Sequence, residues 1–163
     1  MKSRNKKRMF LWLLVVVIAA VIFLFSAMSG AESMTMSKGL TYWFVRLIYQ
    51  DYDHLSLERQ EEIYRLFVFI VRKTAHFTEF TAFGAALMLL IKDYHIAREK
   101  RWAWAIGSLY AATDELHQYF VGTRTPSIKD VGIDVMGVGM GILIVSLIFF
   151  CIERRRCKKE GNK

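Results

Sequence analysis

Four long apolar stretches constrain the fold of this chain more than any other feature. They cover approximately residues 9–28, 66–91, 102–121 and 131–152 of the 163-residue sequence. Each approaches the roughly 20 residues that a helix needs to cross a hydrocarbon core about 30 Å thick. Because no water is available there to satisfy backbone groups, such spans must be helical. The sequence therefore predicts an all-α integral membrane four-helix bundle, with residues 1–163 forming a single domain.

The first stretch also resembles a cleaved secretory signal, since basic residues precede it and small residues follow it. Its apolar core, residues 9–25, is longer than the roughly 7–15 residues typical of such a signal. We therefore expect this stretch to be a retained helix.

Charged residues outside the apolar stretches are distributed asymmetrically. Residues 2–8 carry five basic side chains, residues 92–101 four basic and two acidic, and residues 153–163 six basic and two acidic. Residues 30–65, by contrast, carry four basic and six acidic side chains. Because short, basic loops stay in the cytoplasm, this pattern predicts four spans with both termini cytoplasmic. The net charge of +8 is then a topology signal, and no nucleic-acid partner is expected.

Ionisable and strongly polar side chains interrupt three of the stretches. A charged side chain within a bilayer costs several kcal/mol, so such residues are rare and usually mark functional sites. The predicted topology brings all of them to the outer leaflet, which predicts one site there. They are Arg72, Lys73, His76 and Glu79 on the second span, Asp114, Glu115, His117 and Gln118 on the third, and Asp130 and Asp134 on the fourth.

Helical spacing indicates how some of these side chains are directed. On the third span, Glu115 points about 100° away from Asp114. On the last span, a Gly-x-x-x-Gly pair allows close approach of a neighbouring helix, and the aspartates lie on the same stripe, so we expect them to face that neighbour. The stripe consists of Asp130, Asp134, Gly137 and Gly141.

Two connecting segments also carry predictions. Residues 30–65 contain an apolar helical face, which suits either a helix at the outer interface, where Trp and Tyr are favoured, or a lid packed over the bundle. This face consists of Leu40, Trp43, Phe44, Leu47 and Ile48. Residues 122–126 form a predicted external turn that contains Arg124, and Ser127 is expected to cap the next helix.

The polar motifs together resemble those of one known family. They are Arg72-Lys73-Thr-Ala-His76-Phe-Thr-Glu79-Phe80, Asp114-Glu115-Leu-His117-Gln118-Tyr-Phe, Gly122-Thr-Arg124 and Asp130-Val-Gly-Ile-Asp134. In this combination they closely resemble the VanZ-like family, over about residues 23–141. That family is named for a bacterial accessory protein associated with resistance to teicoplanin, which acts on lipid-linked cell-wall precursors outside the membrane. The resemblance implies a bacterial plasma membrane protein with a role at the cell envelope.

One interpretation of the polar residues is a binding site for an anion. Arg72, Lys73 and Arg124 would receive a phosphate, a carboxylate or a lipid head group, because guanidinium groups form bidentate charge-assisted bonds with such anions. Membrane lipids and a lipid-linked cell-wall precursor are then the expected partners. The predicted ligand-binding set is Arg72, Lys73, His76, Glu79, Asp114, Glu115, His117, Gln118, Arg124, Asp130 and Asp134.

The alternative is a membrane-embedded hydrolase or transferase that acts on a lipid-linked substrate. A histidine–carboxylate pair can act as a general base, and Ser26, Ser29 and Ser127 are possible nucleophiles. No nucleophile motif marks any of them, so binding without turnover is favoured. The catalytic candidates of this alternative are His76, Glu79, Asp114 and Glu115.

No cofactor is expected, and the same reasoning predicts no tightly bound metal. Two imidazoles and three carboxylates match a divalent cation in number. However, the positive charges of Arg72 and Lys73 repel a cation and compete for the carboxylates.

Buried ion pairs can also serve only to hold helices in register. A whole set of ionisable groups in one leaflet is a costly way to obtain packing that small residues provide. We therefore favour a functional site over a structural network.

Overall fold

The computed structural model describes residues 2–28, 30–120 and 127–160. This part of the chain forms five α-helices, one short 3-10 turn at Tyr52–His54 and no β-strand. The all-α class predicted from the sequence is therefore confirmed for these residues. The helices are α1 (Lys2–Ala27), α2 (Gly30–Ile48), α3 (Leu57–Asp93), α4 (Glu99–Phe120) and α5 (Ile128–Glu160).

Among the described helices, three are long and apolar enough to cross a membrane. They are α1, α3 and α5, over Ser3–Ala27, Leu57–Asp93 and Ile128–Lys159. The fourth predicted span corresponds to α4, whose 22 residues reach about 33 Å but whose composition is more mixed. Three of the four predicted spans therefore have the character of a transmembrane helix by length and composition.

The helix α3 begins nine residues before the apolar stretch from which its span was predicted. The hydroxyl of Ser56 accepts a hydrogen bond from the backbone N–H of Arg59 (3.4 Å), which caps the first turn. Ion pairs within the helix, including Arg65 with Glu61, then support its polar first turns. The 37 residues of α3 extend about 55 Å, which exceeds the thickness of a hydrocarbon core.

The centre of the bundle is a close contact between α3 and α5. A Cβ atom added to Gly137 would lie 2.7 Å from the carbonyl oxygen of Phe77, and one added to Gly141 would overlap the backbone of α3 at Thr81. On α3, Gly84 stands equally close to the backbone of α5. The close approach predicted from the Gly137 and Gly141 pair is therefore confirmed, and we call this contact the glycine seam.

The helices α1 and α4 pack around this seam. The hydroxyl of Tyr110 on α4 donates a hydrogen bond to the carbonyl oxygen of Ala19 on α1 (2.7 Å). The start of α1 lies beside the end of α3, where Lys7 Nζ is 2.6 Å and Arg8 Nε 3.1 Å from the carboxylate of Asp93. The helices α1 and α3 are therefore antiparallel.

The basic segments lie at one end of the bundle. Besides the contacts of α1 with Asp93, the Nζ of Lys92 is 3.7 Å from Glu99 Oε1 at the start of α4. The same Nζ is 4.7 Å from the ring centroid of Phe149, in the second half of α5. The described parts of the three basic segments therefore share an end, as the sequence pattern requires.

The helix α2 packs on the first half of α3, apart from the main core. A small cluster of Val45, Tyr52, Ile63 and Phe67 joins the two helices. Leu40, Trp43, Leu47 and Ile48 are exposed and Phe44 is half-buried. The helix itself is confirmed, whereas its position at a membrane interface or as a lid stays a prediction.

Candidate functional site

Polar side chains from four helices meet at the end of the bundle opposite the basic segments. Hydrogen bonds, ion pairs and electrostatic interactions link them to one another. We call this group the polar cluster. It consists of Ser26 on α1, Lys73, His76 and Glu79 on α3, Asp114, Glu115 and Gln118 on α4, and Asp130 and Asp134 on α5.

Asp114 connects α4 to α1. Its Oδ2 atom accepts hydrogen bonds from the hydroxyl of Ser26 (2.8 Å) and from the amide of Gln118 (2.9 Å). The amide nitrogen of Gln118 also lies 3.3 Å from the hydroxyl oxygen of Ser26. All three side chains are buried, and Asp114 and Gln118 meet because they lie one helical turn apart.

Glu115 connects α4 to α5 instead. Its Oε2 atom accepts a hydrogen bond from the backbone N–H of Ser127 (3.3 Å), the residue immediately before α5. The carbonyl oxygen of Ser127 in turn accepts from the backbone N–H of Asp130 (2.9 Å). Adjacent residues on a helix point about 100° apart, so Asp114 and Glu115 reach different neighbours, in agreement with the predicted directions.

The two aspartates of α5 face α3, as their position on the glycine stripe predicts. Lys73 forms an ion pair with Asp130, and its Nζ lies 5.4 Å from the ring centroid of Phe69. One turn further along, Nδ1 of His76 is 3.9 Å from Oδ1 of Asp134. Asp134 is only 2% exposed, so the second contact is enclosed by the bundle.

Three members of the cluster are arranged so that they could share a metal ion. One ligand atom from each of His76, Asp114 and Asp134 lies within 4.8 Å of the others. These residues come from α3, α4 and α5 respectively, and aromatic rings pack close to them in the core. Phe83 and Tyr110 have ring centroids 4.8 Å apart, and Phe80 is fully buried beside both.

An open apolar groove of about 780 Å³ lies between α1, α2 and α3. Its walls include Ile18 and Ile22 from α1, Phe44 and Ile48 from α2, and a long face of α3. Among the described residues that line it, Glu79 is the single charged one. Because Glu79 also interacts electrostatically with Asp114, it connects the apolar groove to the polar cluster.

The other predicted site residues differ in their surroundings. Arg72 is half-buried and makes no hydrogen bond or ion pair with the part of the chain that the structure describes. The ring of His117 packs against Phe23, with centroids 4.3 Å apart. Arg124, the turn predicted at 122–126 and Ser29 lie outside the described residues. Whether any of these residues binds a ligand stays a prediction.

Two features of the site could not be predicted from the sequence. The groove depends on how α2 docks against α3, which no local pattern reports. The pairing of Lys73, and not Arg72, with Asp130 depends on the rotation of α3 about its own axis. Ser26, in contrast, carries a usable signal, since it is a polar residue at the end of an apolar stretch and level with Asp114 in an antiparallel bundle.

Comparison with curated proteins and with solved structures gives no significant match. A family model described as VanZ/LLP1 matches residues 10–149, a range that includes every member of the polar cluster. The resemblance carried by the polar motifs is thereby confirmed. The chain belongs to the VanZ/LLP1 family.

Proposed function

We propose that this protein binds an anionic, lipid-linked molecule of the cell envelope in the outer leaflet of the bacterial plasma membrane. Its role in glycopeptide resistance, which the family suggests for teicoplanin, would follow from that binding. The observation that supports the proposal best is the apolar groove, which adjoins the polar cluster through Glu79. Such an arrangement suits an amphiphile with a long apolar chain and a polar head.

The groove suits the apolar chain of the ligand. Its volume of about 780 Å³ falls within the range of roughly 300–1,000 Å³ typical of small-molecule sites. Inside a bilayer, however, lipid tails are as apolar as the groove, so moving a chain from one to the other contributes little free energy. The groove therefore orients the ligand, and the head group supplies most of the affinity and selectivity.

Arg72 is the best-placed described residue for an anionic head group. It is half-buried, and its guanidinium is not engaged by other described residues. It lies seven residues before Glu79, which places both side chains on nearly the same face of α3. A guanidinium binds phosphate through two parallel charge-assisted hydrogen bonds, and Glu79 can accept a hydrogen bond from a hydroxyl or amide of the same head group.

We further propose that α4 is a fourth span and that both termini are cytoplasmic. The side of α4 that packs in the bundle carries small residues and the polar cluster, and its outer side carries exposed apolar residues, including Leu109 and Leu116. Such an exposed apolar face suits contact with lipid. The described basic segments share one end of the bundle, and together with the positive-inside rule this supports an outer-leaflet position for the polar cluster.

Cysteine labelling of intact cells tests this orientation. Cysteines introduced at Thr123 and at His54 are expected to react with a membrane-impermeant thiol reagent. The natural Cys157 is exposed on the surface of the protein, but it should be protected by the membrane. Labelling of Cys157 from outside would reverse the orientation and place the polar cluster in the inner leaflet.

Lipid retention by purified protein tests the ligand. Ala82 lines the groove, and Ala82→Trp is expected to fill part of it. Ala105→Trp is the matched control, because Ala105 is exposed on α4 away from the groove. Mass spectrometry should find a phosphate-bearing polyprenyl lipid with the unmodified protein and the control, and much less with Ala82→Trp. Equal retention by the two variants contradicts the proposal.

The hydrolase or transferase alternative receives less support. Ser26 is buried, and its hydroxyl donates directly to Asp114. This arrangement suits a hydrogen bond that orders α1 against α4, and it does not present the serine oxygen to a lipid head group. Binding without turnover therefore remains the proposed function.

A further inference from the structure

We propose that His76, Asp114 and Asp134 form a binding site for a divalent first-row metal cation. Their ligand atoms lie within 4.8 Å of one another. Two ligand atoms that are each about 2.1 Å from a tetrahedral zinc ion lie about 3.4 Å apart. Small side-chain rotations from the observed positions therefore bring all three into coordination distance.

The environment of Asp134 points independently to a ligand. The side chain is 2% exposed, and its Oδ1 atom faces Nδ1 of His76 at 3.9 Å. Its Oδ2 atom is fully buried and meets no hydrogen-bond donor among the residues that the structure describes. Buried carboxylate oxygens are normally satisfied, and burial without a partner is costly. A cation between His76, Asp114 and Asp134 provides the missing partner.

The distribution of charge agrees with this assignment. Asp134 interacts electrostatically with Asp114, Glu115 and Asp130, and a ligand atom of Asp114 lies within 4.8 Å of one of Asp134. Lys73 also interacts electrostatically with Asp134, but its ammonium group forms its direct ion pair with Asp130. In the sequence, competition by Lys73 for the carboxylates argued against a metal. In the structure, Lys73 is paired with Asp130, which is not one of the three proposed ligands. A divalent cation balances the charges of Asp114 and Asp134.

The surroundings of Asp114 are those of a supported metal ligand. Its Oδ2 atom accepts hydrogen bonds from Ser26 and Gln118, and ligating carboxylates are typically held by such outer partners. One imidazole with two carboxylates suits Zn²⁺ or Mn²⁺, and three protein ligands leave a coordination position open. The site does not depend on the proposed lipid, although an open position would accept an anionic oxygen of a head group.

Zinc binding by the full-length protein in detergent tests the site. After chelation and dialysis against Zn²⁺, the unmodified protein is expected to bind one equivalent by elemental analysis. Asp134→Asn keeps the side-chain volume but removes the charge, and it should weaken zinc binding by about 100-fold, with about 10-fold for Ser26→Ala. Asp93→Asn is the control, because Asp93 is a largely buried aspartate at the other end of the bundle. That variant should bind zinc normally.

Absence of zinc from the unmodified protein, or equal zinc affinity in Asp134→Asn, overturns the proposal. A second variant replaces Asp134→Asn if that protein folds poorly. In that case Co²⁺ is added to the unmodified protein and to His76→Ala, and their absorption spectra are compared. Visible absorption bands characteristic of a nitrogen ligand should appear only with His76 in place, and identical spectra overturn the proposal. Lipid retention measured on the same samples separates this result from the groove, because Ala82→Trp should keep zinc while losing lipid.

Discussion

The two sides of α3 differ in how closely they pack against neighbouring helices. On one side, the glycine seam brings α3 and α5 together backbone to backbone, at Gly84, Gly137 and Gly141. On the other side, α3 faces α1 and α2 across an open groove of about 780 Å³. Large side chains such as Phe44 and Phe67 line the groove, whereas glycines line the seam. The glycines therefore allow the two backbones to approach closely at the seam.

This difference gives the two sides of α3 different relations to the polar cluster. The seam holds the aspartates of α5 against α3, so the polar cluster has a fixed geometry. The groove leaves room for a mobile apolar chain beside Glu79. Threonines of α3 fit both environments, because the hydroxyls of Thr78 and Thr81 each donate to a carbonyl oxygen four residues earlier, at 2.7 Å. These two hydroxyls are thereby satisfied within α3 itself.

The largest effect is expected from breaking the seam. In Gly141→Val, the new Cβ overlaps backbone atoms of Thr81 and Ala85, so the helices must separate. Overpacking of this kind costs about 3 kcal/mol or more, and we expect loss of the folded bundle in a detergent melt. Gly139→Ala is the matched control on the same helix, because no atom lies within 4 Å of its added Cβ. Equal melting temperatures for the two variants would show that the seam is not essential.

A smaller effect is expected from removing one carboxylate beside the seam. Asp134→Ala removes the buried group that faces His76, and losing a buried polar contact of this kind costs about 1–3 kcal/mol. This variant should be inactive and less stable. Arg124→Ala should be inactive with nearly unchanged stability, because an arginine in the turn that the sequence predicts can remain solvated without its ligand.

A thermal melt run in parallel with a teicoplanin-resistance assay measures both properties. An active Arg124→Ala protein would remove support for the anion site. The same conclusion would follow if Arg124→Ala were as destabilised as Asp134→Ala.

The smallest stability effect is expected from adjacent residues that face different surroundings. Lys73→Met removes a partly exposed ion pair with Asp130, which contributes about 1 kcal/mol or less. Arg72→Met removes no ion pair with the described residues and should leave stability unchanged, but it should reduce lipid retention strongly. A melt and lipid mass spectrometry on both variants compare them. If Lys73→Met loses more lipid than Arg72→Met, the head group belongs nearer the seam than the groove.

Much of the helical framework could be predicted because apolar stretches and polar motifs are local signals. The all-α class follows from the apolar stretches, and the close approach at Gly137 and Gly141 and the different directions of Asp114 and Glu115 follow from residue spacing. The start of α3 at Leu57 could not be predicted from the apolar stretch, since its first turns rely on the Ser56 cap and on surface ion pairs.

The contacts between helices were harder to predict because they depend on rotation and docking. Arg72 and Lys73 are adjacent and equally basic, yet the rotation of α3 places only Lys73 on Asp130. The groove depends on where α2 packs, which follows from the cluster around Val45 and Tyr52. The composition of α4 is mixed because Asp114, Glu115 and Gln118 are buried in the bundle while Leu109 is exposed.

Photo-crosslinking in intact cells tests most directly whether the groove holds a specific lipid. A photoreactive amino acid replaces Thr78, which lines the groove, or Leu109, which is exposed on the outer side of α4. After illumination, mass spectrometry identifies the lipid attached at each position. The account predicts a phosphate-bearing polyprenyl adduct at position 78 and only bulk phospholipids at position 109. The same bulk phospholipids at both positions would contradict a specific lipid ligand in the groove.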